Sequence, residues 1–375
     1  MVKVSKSENV LVALSGGVDS AVAAYILKEQ GHRVETVYVR TWEHEEDILG
    51  DCPGARDLKD AEKVAQLLDL PFRVVNFVDF YKREVVGPMV EGYAEGITPN
   101  PDILCNRQMK FGALWEYALR EGFDALATGH YCTRKLGLLG SAELWEGKDK
   151  NKDQSYFLAR LTQEQLETAR FPLGELEKPA VRKIAQEIKL PVAEKKDSQG
   201  ICFLGKVKVP EFLSHFIEDK PGEIVNLSGD VLGKHQGLHR YTLGQRRGIG
   251  VPSNTDHENF VVTGKDEANN RLIVAFDHLH EPTLWARRFL LRDPSLLSHN
   301  LDQLVETTLL AKARYRDAST PIVLQRDASG RLEVSFTHAQ RALTPGQVLA
   351  IYRGEQLIAS AIYDHTEFGR ASLSA

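Results

Sequence analysis

Cysteine is scarce in this 375-residue chain. The four cysteines stand at Cys52, Cys105, Cys132 and Cys202, and no two form a C-x-x-C pair. Neither a zinc ribbon nor a typical iron–sulfur ligand set can be assembled from that spacing, and so sparse a set suits a reducing compartment. Long apolar runs are also missing: no stretch could span a bilayer. The opening residues, Met1-Val2-Lys3-Val4-Ser5-Lys6, carry no signal-peptide core or transit peptide. The expectation is a cytoplasmic protein of bacterial type with no membrane partner. Positive charge is not in excess either. The net charge is −5, so any nucleic-acid surface has to come from local patches. Internal repeats and low-complexity tracts are absent. A hydrophobic content of 42% and a charged content of 26% are those of an ordinary globular protein. The length calls for two or three domains.

What is present begins at Val10. Val10-Leu11-Val12-Ala13-Leu14 reads as a buried strand, and Ser15-Gly16-Gly17-Val18-Asp19-Ser20 leads into a helical run through Ala21, Val22, Ala24, Tyr25 and Leu27. A strand that enters a Gly-rich turn and leaves as a helix gathers backbone N–H groups around an anion. Ser15 and Ser20 add hydroxyl donors, and Gly16 and Gly17 let the backbone approach a phosphate. The loop is neither G-x-x-x-x-G-K-[ST] nor G-x-G-x-x-G. A bare S-G-G can be an idle turn, but all six residues between this strand and this helix point to nucleotide binding.

Farther on, strands alternate with helices. Helix Ser20 to Gln30 is capped by Gly31; strand 33–39, helix 55–68, strand 72–77, a helix around 81–93, a helix over roughly 108–121 and strand 125–128 follow. This alternation predicts an α/β, doubly wound parallel sheet, whose ligands sit beyond the carboxyl ends of the strands. Ser15, Val39 and Gly129 fall at such ends. Near residue 208 the character changes, with a short helix at Pro210 to Ile217 and a Gly-rich region. From about Glu281 short strands and turns predict a small β-barrel. The expected units are 1–208, 209–280 and 281–375.

Two thiols stand in suggestive company. In Thr98-Pro99-Asn100-Pro101-Asp102-Ile103-Leu104-Cys105-Asn106, two prolines stiffen a loop and a helix is expected soon after Cys105, which would stabilise a thiolate. Asp102 is placed to accept a proton or simply to cap the helix. In Lys195-Lys196-Asp197-Ser198-Gln199-Gly200-Ile201-Cys202-Phe203 the lysines supply an electropositive setting, although Ile201-Cys202-Phe203 also fits a plain core strand. Cys52 and Cys132 read as structural. Between Gly233 and Val251, Lys234, Arg240, Arg246 and Arg247 stand with His235, His239 and Tyr241 and no acidic residue, a composition suited to RNA or to a solvated basic loop.

Ser15–Ser20 resembles the pyrophosphate loop of the PP-loop ATP pyrophosphatases. With TPNPDxxCN, ATGHY, KDQSYFL, DSQGICF, YTxGQRxGxG and RYR in order over nearly the whole chain, the sequence is similar to the tRNA-specific 2-thiouridylases of the bacterial and mitochondrial type. That resemblance implies a PP-loop catalytic domain, a small central domain and a C-terminal β-barrel. It further implies ATP, with Mg²⁺ accompanying it and no permanently bound metal or iron–sulfur cluster. Ala13, Leu14, Ser15, Gly16, Gly17, Val18, Asp19 and Ser20 would bind ATP, with Val39 and Gly129 lining the adenine and ribose pocket. Val39 departs from the methionine common there. Cys202 would carry a persulfide, Cys105 would be its partner thiol in a disulfide, and Asp102 would be the acid/base. Asn100, Pro101 and Asp102 would meet the target base, flipped out of the RNA. His130, Lys152, Asp153, Gln154, Arg314, Tyr315 and Gln347 would contact tRNA. The partners implied are a tRNA anticodon stem-loop with a wobble uridine and a persulfide sulfur-donor protein, either a relay protein or a cysteine desulfurase.

Two other readings compete. A PP-loop ligase of small molecules would need an amine source, and no glutaminase nucleophile pattern or N-terminal catalytic cysteine is present. An RNA-binding module with a dead nucleotide fold would not need Asp19, Asp102, Cys105 and Cys202 together.

Overall fold

The computed structural model describes residues 7–42, 53–197, 208–252, 258–278, 282–297, 300–305 and 307–364. Cys52 and Cys202, with the DSQGICF segment after Asp197, lie outside the described residues. Before residue 171 the described residues form seven strands: β1 (Asn9–Ala13), β2 (Arg33–Arg40), β3 (Phe72–Asn76), β4 (Ala125–Ala127), β5 (Cys132–Leu136), β6 (Ala142–Glu146) and β7 (Ala169–Arg170).

Five of them build one sheet in the order β3-β2-β1-β4-β7, and every pairing in it is parallel. Val10, Leu11 and Val12 are completely buried, as a strand covered on both faces requires. The chain winds from β1 through β2 to β3 on one side and returns to β4 on the other. The carboxyl ends of β1 and β4 therefore flank the point where the winding reverses, which is where an open α/β sheet leaves its ligand crevice. Helix α1 (Val18–Glu29) fills one face through Ala21, Val22, Ala24 and Leu27. Gly31, at φ +83°, ends its C-terminal turn as the sequence predicts.

The connection from β3 to β4 is helical over residues 78–94 and 101–120, each run containing a π-helical segment, Lys82–Val86 and Cys105–Ala113. The second run starts seven residues earlier than expected. Pro101 at its first position tolerates the missing N–H, and the Asn100 side chain accepts the Ile103 N–H at 3.2 Å as its cap. The cap left open for Asp102 thus belongs to Asn100.

A mixed four-stranded sheet follows, of β8 (Gly222–Val225), β9 (Val231–His235), β10 (Phe260–Asp266) and β11 (Arg271–Phe276) in the order β10-β11-β8-β9. The last strands are β12 (Trp285–Leu296), β13 (Thr308–Lys312), β14 (Thr320–Arg326), β15 (Leu332–Arg341), β16 (Val348–Arg353) and β17 (Gln356–Tyr363). They pair antiparallel in the cycle β12-β15-β14-β13-β16-β17 and close through β12–β17. Closure removes the free edges that such short strands would otherwise expose. One feature is illegible in sequence. The β5–β6 hairpin, deep inside the N-terminal unit, pairs with the start of β17 (Leu144 opposite Leu357, Trp145 opposite Gln356) and joins the barrel sheet.

Candidate functional site

The Gly-rich loop sits at the carboxyl end of β1. Gly17 is the extended N-cap of α1 and supplies no side-chain cap, so the first-turn N–H groups point past the loop rather than into a side chain. Ser20 Oγ accepts the Ser15 N–H at 3.1 Å, donates to Gly17 O at 3.1 Å and lies 3.2 Å from Ser15 Oγ. Gly16 adopts φ +75°, and a Cβ there would come 2.3 Å from Asp57 O. A Cβ at Gly129, just after β4, would come 2.7 Å from Ser20 N. Neither glycine could carry a side chain without moving the loop. These backbone cradles fit a pyrophosphate group.

Around the loop lies a network of charges. Asp19, in the first turn of α1, accepts from Tyr131 Oη at 2.7 Å and from Lys178 Nζ at 2.6 Å. Burial, then the Asp19 carboxylate, holds the Tyr131 phenol far above its ordinary pKa. Lys178 also reaches Asp197 Oδ1 at 2.8 Å, and Asp197 binds Lys152 Nζ at 2.6 Å and Arg182 Nη2 at 2.8 Å. Burial pushes Asp197 upward, but the hydrogen bonds from Lys152 and Lys178 outweigh it and bring it down to about 2 from 3.8. Its contribution to stability is therefore whole above its unfolded pKa and is lost as pH falls through about 2. Lys195 Nζ bonds Gly16 O at 2.9 Å, Asp57 at 2.7 Å and Asp60 at 2.6 Å. Its charge is thus committed to the nucleotide loop and to α2 (Pro53–Leu67). Cys202, near which Lys195 and Lys196 are expected to favour a thiolate, lies outside the described residues.

Cys105 is the fifth residue of its helical run rather than a residue preceding it, and the helix dipole fades within the first turn. It is buried, 2% exposed, in a cluster with Tyr81, Met89, Phe212 and Leu213. Val39 and Phe77, at the carboxyl ends of β2 and β3, pack on the same cluster. The thiol thus lies on the edge of the sheet from which the nucleotide loop leaves. Cys105 opens the π-helical segment, a widened turn often found at functional positions. Gly112 belongs to that segment, where a Cβ would lie 2.9 Å from Arg107 O. Asp102 is half-buried in the first turn. The loop before it is braced from the barrel: Thr98 N–H donates to Pro345 O at 2.9 Å, and Gln347 Nε2 donates to Thr98 O at 2.7 Å. Cys132 is completely buried, and burial pushes its thiol well up, as a structural cysteine requires.

Several residues expected to meet tRNA face inward. The His130 ring is buried between Phe111 and Phe171, 2.7 Å from Thr128 Oγ1. Burial, then Lys110, holds it neutral, well below its ordinary pKa. Gln154 Oε1 accepts the Tyr131 N–H at 3.0 Å and so steadies the tyrosine that holds Asp19. Asp153 is 5% exposed and its carboxylate is fully engaged: it accepts from Gly147 N–H, Ser155 N–H, Ser155 Oγ and, at 2.7 Å, Lys312 Nζ of the barrel. A carboxylate so enclosed is an anchor between units. Asp153→Ala is expected to destabilise the fold by about 3–5 kcal/mol, since it leaves the Gly147 and Ser155 N–H groups without their acceptor and the Lys312 ammonium with Glu146 alone, at 2.9 Å. Urea unfolding checks this, and normal stability with only weaker RNA binding would refute it. Arg314 pairs with Asp317 at 3.1 Å, and Tyr315 packs 4.2 Å from the Phe157 ring.

The basic segment is also weaker than its composition. Arg240 is paired bidentately with Asp219 at 2.6 and 2.7 Å, and Arg246 with Asp277 at 2.5 Å. Burial lowers the pKa of both His235 and His239. Lys234 and Arg247 keep no carboxylate partner among the described residues. Sequence reasoning missed Lys178, Tyr131 and Lys312. The signal for Lys178 is its place at the first position of helix Lys178–Glu187, where the helix dipole disfavours a cation.

A parallel sheet with a Gly-rich anion loop at its switch point, followed by two β units, defines an α/β nucleotide-binding protein of the PP-loop class. Three family models match in succession: a "tRNA methyl transferase HUP domain" over residues 8–206, a "tRNA methyl transferase PRC-barrel domain" over 210–276 and an "Aminomethyltransferase beta-barrel domain" over 286–362. A tRNA-specific 2-thiouridylase MnmA of Akkermansia muciniphila is 45% identical over 96% of this chain and 99% of its own. That of Escherichia coli O1:K1 is 42% identical over 96% and 97%, and that of Staphylococcus epidermidis 39% over 99% of both. The chain belongs to the tRNA-specific 2-thiouridylase family. Among solved structures, a 4-thiouridine synthetase–RNA complex with bound ATP has a TM-score of 0.38 at 20% identity, covering 53% of this chain and 46% of that one.

Proposed function

We propose that the protein converts a wobble uridine of tRNA to 2-thiouridine, using ATP and a persulfide sulfur. The observation that carries this reading is the placement of Cys105 on the sheet edge from which the Ser15–Ser20 loop leaves, in a chain of this family. The backbone of residues 13–20 holds the nucleotide phosphates, with Val39 and Gly129 beside the base and ribose, and Mg²⁺ enters with ATP to neutralise phosphate charge. Asn100, Pro101 and Asp102 receive the flipped uridine. Its 2-oxygen attacks the α-phosphorus, pyrophosphate leaves, and the poor leaving group becomes an adenylate.

Sulfur arrives as the terminal atom of a Cys202 persulfide. In one route it attacks C2 and AMP departs; Cys105 then attacks the Cys202 sulfur, leaving thiocarbonyl on the base and a Cys105–Cys202 disulfide. In the other, Cys105 first frees hydrosulfide, which attacks C2, and the same disulfide results. A dithiol reductant reopens it in either case, and Asp102 moves the proton. Units at 1–208, 209–280 and 281–375 divide the work between chemistry and tRNA contact, in the cytoplasm, with a persulfide-carrying protein as donor. Incubating unmodified tRNA with the protein, ATP, Mg²⁺ and a labelled persulfide, then weighing the nucleosides, tests it. An ATP-dependent exchange of one oxygen for sulfur at the wobble uridine is expected. ATP cleavage to AMP without that exchange would refute the thiolation.

A further inference from the structure

We propose that Gly112 is a positioning residue: it lets the helix that carries Cys105 keep a π-helical turn, and that turn sets where the Cys105 thiol points. The inference rests on the thiolation reading above, in which Cys105 completes sulfur transfer. Residues Cys105–Ala113 are π-helical, and the Leu114 N–H donates to Met109 O, five residues back instead of four. Such a turn holds one residue more than an α-helix would place between the same two ends. Resolving it moves the residues on one side by one position, about 100° around the axis and about 1.5 Å along it.

Both ends are fixed. On the C-terminal side, Leu114 and Ala118 are buried in the core on one face of the parallel sheet. On the N-terminal side, Asn100 caps the run, Ile103 is buried in that same core, and Asn106 Nδ2 donates to Phe157 O at 3.0 Å. Asn106 Oδ1 is buried with no hydrogen-bond partner among the described residues, a cost that fits a register imposed from outside the segment.

Gly112 is what the π turn depends on. A Cβ there would come 2.9 Å from Arg107 O, a main-chain atom five residues back. Alanine prefers an α-helix to a greater degree than glycine, so at this position it would favour the α register and oppose the π turn. The π segment Lys82–Val86 supplies the contrast. The Gly87 N–H donates to Lys82 O, also five residues back, yet a Cβ at Gly87 would stand 3.4 Å from that oxygen. That is an ordinary contact. In the α register Cys105 would leave its cluster with Tyr81, Met89, Phe212 and Leu213, and the polar Asn106 would be driven toward its place.

The test uses full-length Gly112→Ala, with Gly87→Ala as the matched control, and reads two quantities. One is 2-thiouridine formed in a single turnover at saturating tRNA, with ATP, Mg²⁺ and a persulfide donor. The other is the rate at which iodoacetamide alkylates Cys105, followed by peptide mass spectrometry without tRNA or ATP. Gly112→Ala is expected to slow thiolation by about a hundredfold, the cost of misplacing a reacting group by about 1 Å, with half-saturation by tRNA unchanged. Cys105 alkylation is expected to rise by about fivefold or more as the thiol leaves its apolar cluster. Gly87→Ala should change neither. Deleting Gln108 from the Gly112→Ala protein removes the extra residue, so an α-helix spans the same two ends and both readouts should return toward the wild type. That variant keeps the test decisive if Gly112→Ala folds poorly. Slowed thiolation with unchanged alkylation, equal effects of Gly87→Ala, or a deletion that restores neither readout would overturn the positioning role. A wild-type protein that makes no 2-thiouridine, with alkylation responding as expected, would instead overturn the thiolation reading and leave the register assignment standing.

Discussion

Cys105→Ala is expected to lower 2-thiouridine formation by about a thousandfold or more, because the proposed mechanism loses the nucleophile that completes sulfur transfer. The fold should survive. Cys105 is buried among Tyr81, Met89 and Phe212, and losing one sulfur atom from such a site costs about 1–2 kcal/mol. Affinity for tRNA should stay within about threefold, since the removed atom is buried and contributes no phosphate contact. With the labelled donor, sulfur should remain bound to the protein through a disulfide-type bond that dithiothreitol cleaves, as a persulfide if hydrosulfide is the nucleophile and as an adduct to the base if the persulfide attacks directly. Thiolation above about a tenth of the wild-type rate would remove Cys105 from the mechanism.

Gly16→Ala is expected to be almost as damaging through the backbone. Gly16 combines φ +75° with a Cβ position 2.3 Å from Asp57 O, and that neighbour is main chain, unable to swing away. The loop must shift, and its N–H groups lose their aim at the phosphates. A misplacement of about 1 Å there is worth about a hundredfold in ATP-dependent turnover. Gly31→Ala is the control. It has a similar φ of +83° but nothing within 4 Å of its Cβ position, so it should cost about 1 kcal/mol of stability and leave AMP formation unchanged. Equal losses in both variants would show that backbone strain, not loop placement, explains Gly16.

The fold class was already legible in local patterns. An uninterrupted apolar strand, a Gly-rich turn and a helix between Val10 and Leu27 specify an anion loop, because backbone conformation there depends on near neighbours and on glycine alone. Alternation of strands and helices specified the parallel sheet, and short strands with Gly-bearing turns specified the barrel. Helix starts were less legible: the Asn100 cap and Pro101 begin the Cys105 helix before its apolar period becomes visible.

Residue types and order settled the family and the candidate chemistry. Only the tertiary structure decided which polar groups are spent on one another. His130, Asp153 and Gln154 resemble surface contacts in sequence, yet a ring between Phe111 and Phe171, a barrel lysine and Tyr131 claim them. Arg240 and Arg246 are matched by Asp219 and Asp277, which lie outside the basic segment. The hairpin that joins the barrel, the turn that braces Thr98 and the Lys178 bridge all link residues distant in the chain. The physical reason is common to all of them. A side chain's charge and hydrogen-bonding capacity are set by its type, but whether they face solvent or a buried partner depends on contacts that no local sequence pattern encodes.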